Sequence, residues 1–104
     1  MTSRVVLPSK TAGETISVTF PFLSQVPSGQ TISSAEVTCA VYSGTDASPS
    51  SMISGSDTIT GTNVIQKITG GVEGVIYYLV AEAVTSGGLT LSMSGFLAVV
   101  PEIT

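Results

Sequence analysis

The amino-acid pattern predicts an all-β chain, and three observations carry that prediction. No long segment repeats its apolar residues at the period of an amphipathic helix, whereas β-branched Val, Ile and Thr, which suit a pleated surface, dominate. Several segments alternate apolar and polar residues with period two. Clusters of Gly, Pro, Ser and Asp punctuate the chain roughly every 8 to 14 residues, the spacing of short strands joined by turns.

A first short strand is expected over residues 4–7, stopped by Pro8. "ETISVTFPF" then places Ile16, Val18 and Phe20 on one face and Thr15, Ser17 and Thr19 on the other. Pro21 has no N–H for a ladder, so this strand belongs at an edge or a bulge. After the Pro-Ser-Gly turn of "SQVPSGQT", "ISSAEVTCAVYSG" sets Ala35, Val37, Cys39 and Val41 against Glu36, Thr38, Ala40 and Tyr42. Residues 43–57, "SGTDASPSSMISGSD", form the longest run of turn-forming residues; Met52 and Ile53 interrupt it as a short strand or a hydrophobic plug. "TITGTNVIQKI" reads as one or two strands around Gly61. "TGGVEG" is a turn into "GVIYYLVAEAV", and "SGG" at residues 86–88 makes a hairpin to the last strand, "LTLSMSGFLAVV". There Gly95 marks a bulge or a close backbone approach, which leaves open whether Phe96 or Leu97 continues the inward row.

About seven strands in about 100 residues fit an immunoglobulin-like antiparallel β-sandwich, with a small Greek-key barrel as the competitor. Gly74, three residues before Tyr77 at the start of the penultimate strand, fits a tyrosine corner, in which the hydroxyl closes onto nearby backbone. That gives Tyr77 a structural role. A chain of 104 residues is long enough to bury one core without disulfides or metals. One domain over residues 1–104 is therefore expected, with residues 1–12 as an extended amino-terminal arm.

Composition narrows the function. The net charge is −4, and Arg4, Lys10 and Lys67 are the only cations. Three scattered cations cannot neutralise a run of phosphates or an anionic membrane surface, which argues against nucleic-acid and membrane partners. Charged residues make up 10% of the chain against about 25% in typical soluble domains, which suits life inside an assembly. Cys39 is the single cysteine; it cannot close an intrachain disulfide, and burial is its expected fate. No basic-then-apolar leader and no run near 20 apolar residues stands in the sequence, so synthesis in a cytoplasm without a cleaved export signal is the expectation.

Chemistry-bearing patterns are sparse. The chain has no histidine, which removes the commonest general base and metal ligand. Nothing in the spacing of Glu14, Glu36, Asp46, Asp57, Glu73, Glu82 and Glu102 selects a catalytic pair of the glycosidase kind. "GTD" at residues 44–46 and "GSD" at 55–57 do not continue into a calcium loop and read as turn-capping residues. "TGGVEG" lacks the Lys-Ser/Thr of a phosphate loop. The expectation is a protein with no catalytic residues, no cofactor and no metal.

The informative segment is "GVIYYLVAEAV". Val75, Tyr77, Leu79, Ala81 and Ala83 share one face, and Ile76, Tyr78, Val80 and Val84 share the other, broken only by Glu82. Both faces are apolar. An antiparallel sheet around one core hides one face, so Ile76, Tyr78 and Val80 are candidate partner contacts. Asp46, Met52 and Ile53, in the long loop, are further candidates.

Two stretches, "AVYSGTDASPSSMISG" and "NVIQKITGGVEGVIYYLVAEAVTSGGLTLSMSGFLAVV", and within them "VYSGTDASP" (residues 41–49) and "ITGGVEGVIYYLV" (68–80), resemble small immunoglobulin-like structural proteins of tailed bacteriophage virions, the fiber-tail adaptor and neck proteins. The likeness spans roughly residues 10 to 100, through turn and strand signatures rather than a catalytic motif. It implies a non-enzymatic virion building block, made in the host cytoplasm. In the neck or tail region it would attach fibers or neighbouring tail components, present as a homo-oligomer or in multiple copies in a ring. A capsid decoration protein of the same fold is the first alternative. A glycan-binding module is the second, disfavoured by the absence of Trp.

Overall fold

The computed structural model, which describes residues 2–4 and 7–101, sets two sheets face to face across one apolar layer. In chain order the elements are β1 (Thr2–Arg4), β2 (Lys10–Thr11), β3 (Thr15–Pro21), β4 (Ile32–Ser43), a 3₁₀ turn at Pro49–Met52, β5 (Ile53–Thr60), β6 (Asn63–Thr69), β7 (Ile76–Thr85) and β8 (Thr90–Val100). The larger sheet runs β1-β8-β7-β4, with β2 also on β8; the smaller runs β3-β6-β5. β1 and β2 both lie parallel to β8 and form two halves of one edge strand, which brings the sandwich to seven strands.

Hairpins β5–β6 and β7–β8 stay within a sheet, whereas the connections β3→β4, β4→β5 and β6→β7 cross between sheets. This Greek-key connectivity is that of an immunoglobulin-like sandwich. Inward rows from both sheets fill the core: Val18 and Phe20 of β3, Val64 and Ile68 of β6, Val37 and Cys39 of β4, Tyr77 and Leu79 of β7, Leu97 and Val99 of β8. The alternation read in β3 and β4 is the alternation found. Pro21 ends β3 at a sheet edge, where its missing N–H costs no ladder bond.

Four elements differ from the sequence expectation. The first strand is Thr2–Arg4 and Leu7 lies outside any strand, while Val5 and Val6 fall outside the described residues. β2 was not expected, because Lys10 looks like a surface residue. Its side chain is 1% exposed, and its Nζ donates to the carbonyls of Thr11 and Gly70, which replaces the water it loses. Burial pushes the Lys10 ammonium below its usual pKa, opposed by the nearby Glu14 carboxylate.

Residues 53–57, expected in the loop, begin β5. The β5–β6 register shifts between Ser54 and Thr58, so the strand bulges where its propensity is poor. Buried Gln66 of β6 repairs the ladder: its Nε2 donates to Ser54 O at 3.1 Å and Gly55 O at 3.2 Å. Residues 58–68 resolve into two strands joined at Gly61 and Thr62, with φ +62° at Gly61 and, among the described residues, no non-glycine residue at positive φ. That is the preference of a two-residue II′ hairpin, in which only the first central residue needs the left-handed region.

Of the two readings of Gly95, a bulge or a close backbone approach, the bulge does not occur. The β7–β8 register runs unbroken from Ile76↔Ala98 to Val84↔Thr90, with Gly95 opposite Leu79. Parity is therefore kept through the glycine: Met93, Leu97 and Val99 point inward, and Phe96 points out.

Leu79→Ala, at the centre of the core, is expected to cost about 2–5 kcal/mol of stability, measured by chemical denaturation. Gln66→Leu keeps the volume but orphans the bulge carbonyls, and is expected to cost about 1–3 kcal/mol in the same measurement.

Candidate functional site

β7 is paired on both sides, by β4 and by β8, so each of its outward residues has a lateral neighbour on each flank. Tyr78 lies between Ala40 and Phe96, Val80 between Thr38 and Ser94, and Glu82 between Glu36 and Ser92. Ile76, Tyr78, Val80 and Phe96 are half-buried, in contrast to Tyr77 and Leu79 one residue away, which are completely buried. The second apolar face of β7 is thus shielded from the side by its neighbours and half-buried.

An aromatic cluster gathers at one end of this face. The Tyr42 and Phe96 rings have centroids 4.5 Å apart at 53°, and Tyr78 and Phe96 are 5.3 Å apart at 43°. These are tilted contacts, the arrangement favoured by ring quadrupoles. Tyr42 remains 65% exposed and forms the rim of an apolar strip continued by Ile76 and Val80. At the other end, Glu36 and Glu82 stand opposite each other across the β4–β7 ladder, both exposed. The sequence singled out Ile76, Tyr78 and Val80. It missed Phe96, whose face depended on whether Gly95 carried a bulge, and it missed the Glu36–Glu82 register, which no local pattern encodes.

The loop candidates are placed differently. Met52 is fully buried at the end of the 3₁₀ turn and acts as a plug. Ile53 opens β5 and is half-buried against the core. Asp46 is tied to the frame: its Oδ1 accepts from the Ser48 backbone N–H at 2.9 Å, and its Oδ2 accepts from the Tyr77 hydroxyl at 2.6 Å. That same hydroxyl accepts from the Val72 backbone N–H at 2.8 Å, so the corner expected of Tyr77 is present and extended to a carboxylate. The turn it ties is tight. At Gly71, with φ +99°, a Cβ would lie 2.8 Å from Val99 Cγ2.

These bonds set the titration of both groups. The Tyr77 hydroxyl bond, followed by the Ser48 amide, holds the Asp46 carboxyl below the usual carboxylate range. Burial, then the bond to Asp46, pushes the Tyr77 phenol up to about 12. Cys39 is buried, which together with the Asp46 charge pushes its thiol up to about 11, away from the reactive thiolate. Beneath the edge of β4 a hollow of about 370 Å³ is lined by Glu36, Asp57 and Gln66 among others. Among the described residues no group of three His, Cys, Asp or Glu side chains is placed to hold a metal ion. The outer face of β4, β7 and β8 thus has an apolar, aromatic end and an acidic end.

Residues 10–98 match the model of a family described as podophage GP4 fiber-tail adaptor protein gp77. No curated protein matches the chain.

The Tyr77–Asp46 bond has two pH signatures. The raised phenol contributes stability in full below its ordinary pKa of about 10, which is lost as the pH rises through about 12. The depressed Asp46 carboxyl contributes stability above the ordinary carboxylate range, lost as the pH falls through its folded value. Tyr77→Phe is expected to lower stability at neutral pH by about 1–3 kcal/mol and to flatten both limbs, read from denaturation midpoints across pH.

Proposed function

The chain belongs to the family of podophage GP4 fiber-tail adaptor proteins, and from that membership we propose that it is a non-enzymatic structural adaptor of the neck and tail region. In this role it attaches fibers or neighbouring tail components and is present in several copies. Membership itself makes the chain a phage tail adaptor and a component of the virion, as the likeness in residues 41–49 and 68–80 implied.

The observation that supports a holding role is the outer face of β4, β7 and β8. Its Tyr42, Tyr78 and Phe96 rings, from β4, β7 and β8, cluster beside a half-buried apolar strip of Ile76 and Val80. Large apolar side chains clustered on the open side of a sheet mark protein contact sites, and aromatic residues are enriched at the centres of such interfaces. A rigid sandwich that presents such a face holds two bodies in register without chemistry of its own.

Tyr78→Glu places a charge on this face without touching the core. The isolated variant is expected to keep the parent's circular dichroism and denaturation midpoint, whereas particles assembled with it lose fibers or the adjoining tail component in negative-stain images. Tyr42→Glu, at a more exposed position, gives the same assembly defect with less risk to the fold. Particles that carry their normal complement with both variants contradict the reading, and a defect confined to shell stability would instead indicate capsid decoration.

A further inference from the structure

β4 is an edge strand of the larger sheet, paired with β7 alone. An edge strand presents a row of unpaired N–H and C=O groups that can template another strand, and folds blunt such rows with short pieces, proline or bulges. The other described edges are blunted in these ways. The far edge of the larger sheet consists of two short pieces, Thr2–Arg4 and Lys10–Thr11. In the smaller sheet β3 stops at Pro21 after 7 residues, and β5 bulges between Ser54 and Thr58. β4, by contrast, is 12 residues long and holds no proline. Its register against β7 runs without a shift from Ser34↔Val84 to Val41↔Tyr77.

The inward row of β4 is also incompletely covered. Ala35 and Val41 are half-buried and Val37 and Cys39 keep 7% and 8% exposure, whereas Tyr77, Leu79, Ala81 and Ala83 of neighbouring β7 are completely buried. The hollow beneath this edge is lined by Ala35 and Val37, so an added strand would bury apolar surface as well as pair backbone. Such a strand must continue both rows of side chains, and β4 itself does so. In an antiparallel pair about a two-fold axis normal to the sheet, opposed residues share a face, so the axis passes through a residue. An axis at Glu36 sets two glutamates against each other, which opposes pairing. An axis at Val37 sets Val37 against Val37 and Ala35 against Cys39 on the inward face, and Ser34 against Ala40 and Glu36 against Thr38 on the outward face. It also gives each Glu36 a hydroxyl opposite, which an axis at Thr38 would replace with Ala40. We propose that β4 is a self-association edge: two copies of this chain pair their β4 strands antiparallel about Val37 and join their larger sheets into one. The pairing is independent of the adaptor reading and lays the outer faces of the two copies side by side.

Light scattering of the purified chain across a dilution series is expected to show a mass that moves from two copies to one. Thr38 is exposed, so a charge there leaves the core untouched. Thr38→Glu is expected to weaken the dimer about tenfold, because glutamates then oppose each other in both symmetric pairs, and Thr38→Lys to tighten it about tenfold. Both variants are expected to keep the circular dichroism of the parent. Amide hydrogen exchange locates the contact: it is expected to slow over residues 33–41 as the chain is concentrated, and to stay unchanged in β3 and β5. A mass of one copy at every concentration, an assembly of more than two copies, slowed exchange outside β4 only, or an affinity that the two variants leave unchanged or move the other way overturns the proposal. The attachment role is tested separately, by the particles that carry Tyr78→Glu or Tyr42→Glu.

Discussion

The structure depends on the alternation of β7 between two neighbours. Because β4 and β8 pair with it over nearly its whole length, its position in the sheet is fixed from both sides and its side chains divide strictly by parity. The inward row of Val75, Tyr77, Leu79, Ala81 and Ala83 meets the smaller sheet and is removed from water. A slip of one residue would bring Glu82 into that layer, at a cost far above what packing could return. The outward row is a consequence of the inward one: once register is fixed, Ile76, Tyr78 and Val80 have nowhere to go but the open face.

One end of the sandwich is closed by polar contacts that serve this frame. The Tyr77 hydroxyl joins β7 to the turn at Val72 and, through Asp46, to the loop after β4. Lys10 reaches the same turn at Gly70 from the parallel edge strand. Met52 fills the space beneath, beside Gly71. The loop after β4 and the edge strand at Lys10 are thus tied to the turn between β6 and β7, which stiffens that end of the sandwich. Stiffness suits an adaptor, since a surface that is already ordered loses little entropy when a partner settles on it.

Much of this was legible in the sequence where one face is buried and the other wet. β3 and β4 show clean alternation because burial acts on every second residue. What was not legible has a physical cause in each case. β5 begins five residues inside an apparent loop because Gln66, distant in sequence, supplies the hydrogen bonds that the bulge removes. Phe96 was ambiguous because a glycine in a strand either breaks register or does not, and only the partner strand decides. Lys10 was hidden because a lysine is buried only where carbonyls converge on it, and these come from residues 11 and 70. Glu36 and Glu82 are 46 positions apart in the sequence, and only the ladder brings them into register.

The chain belongs to a fiber-tail adaptor family, and the reading proposed for it is that the aromatic face of β4, β7 and β8 is its contact surface. The account stands or falls on whether that face is covered in the assembled particle. Hydroxyl-radical footprinting of the isolated chain and of intact virions measures this side chain by side chain. The account predicts that Tyr42, Tyr78 and Phe96 are labelled in the isolated chain and protected in virions, with the core residue Leu79 unlabelled in both. Equal labelling of the three aromatics in the two states would contradict it.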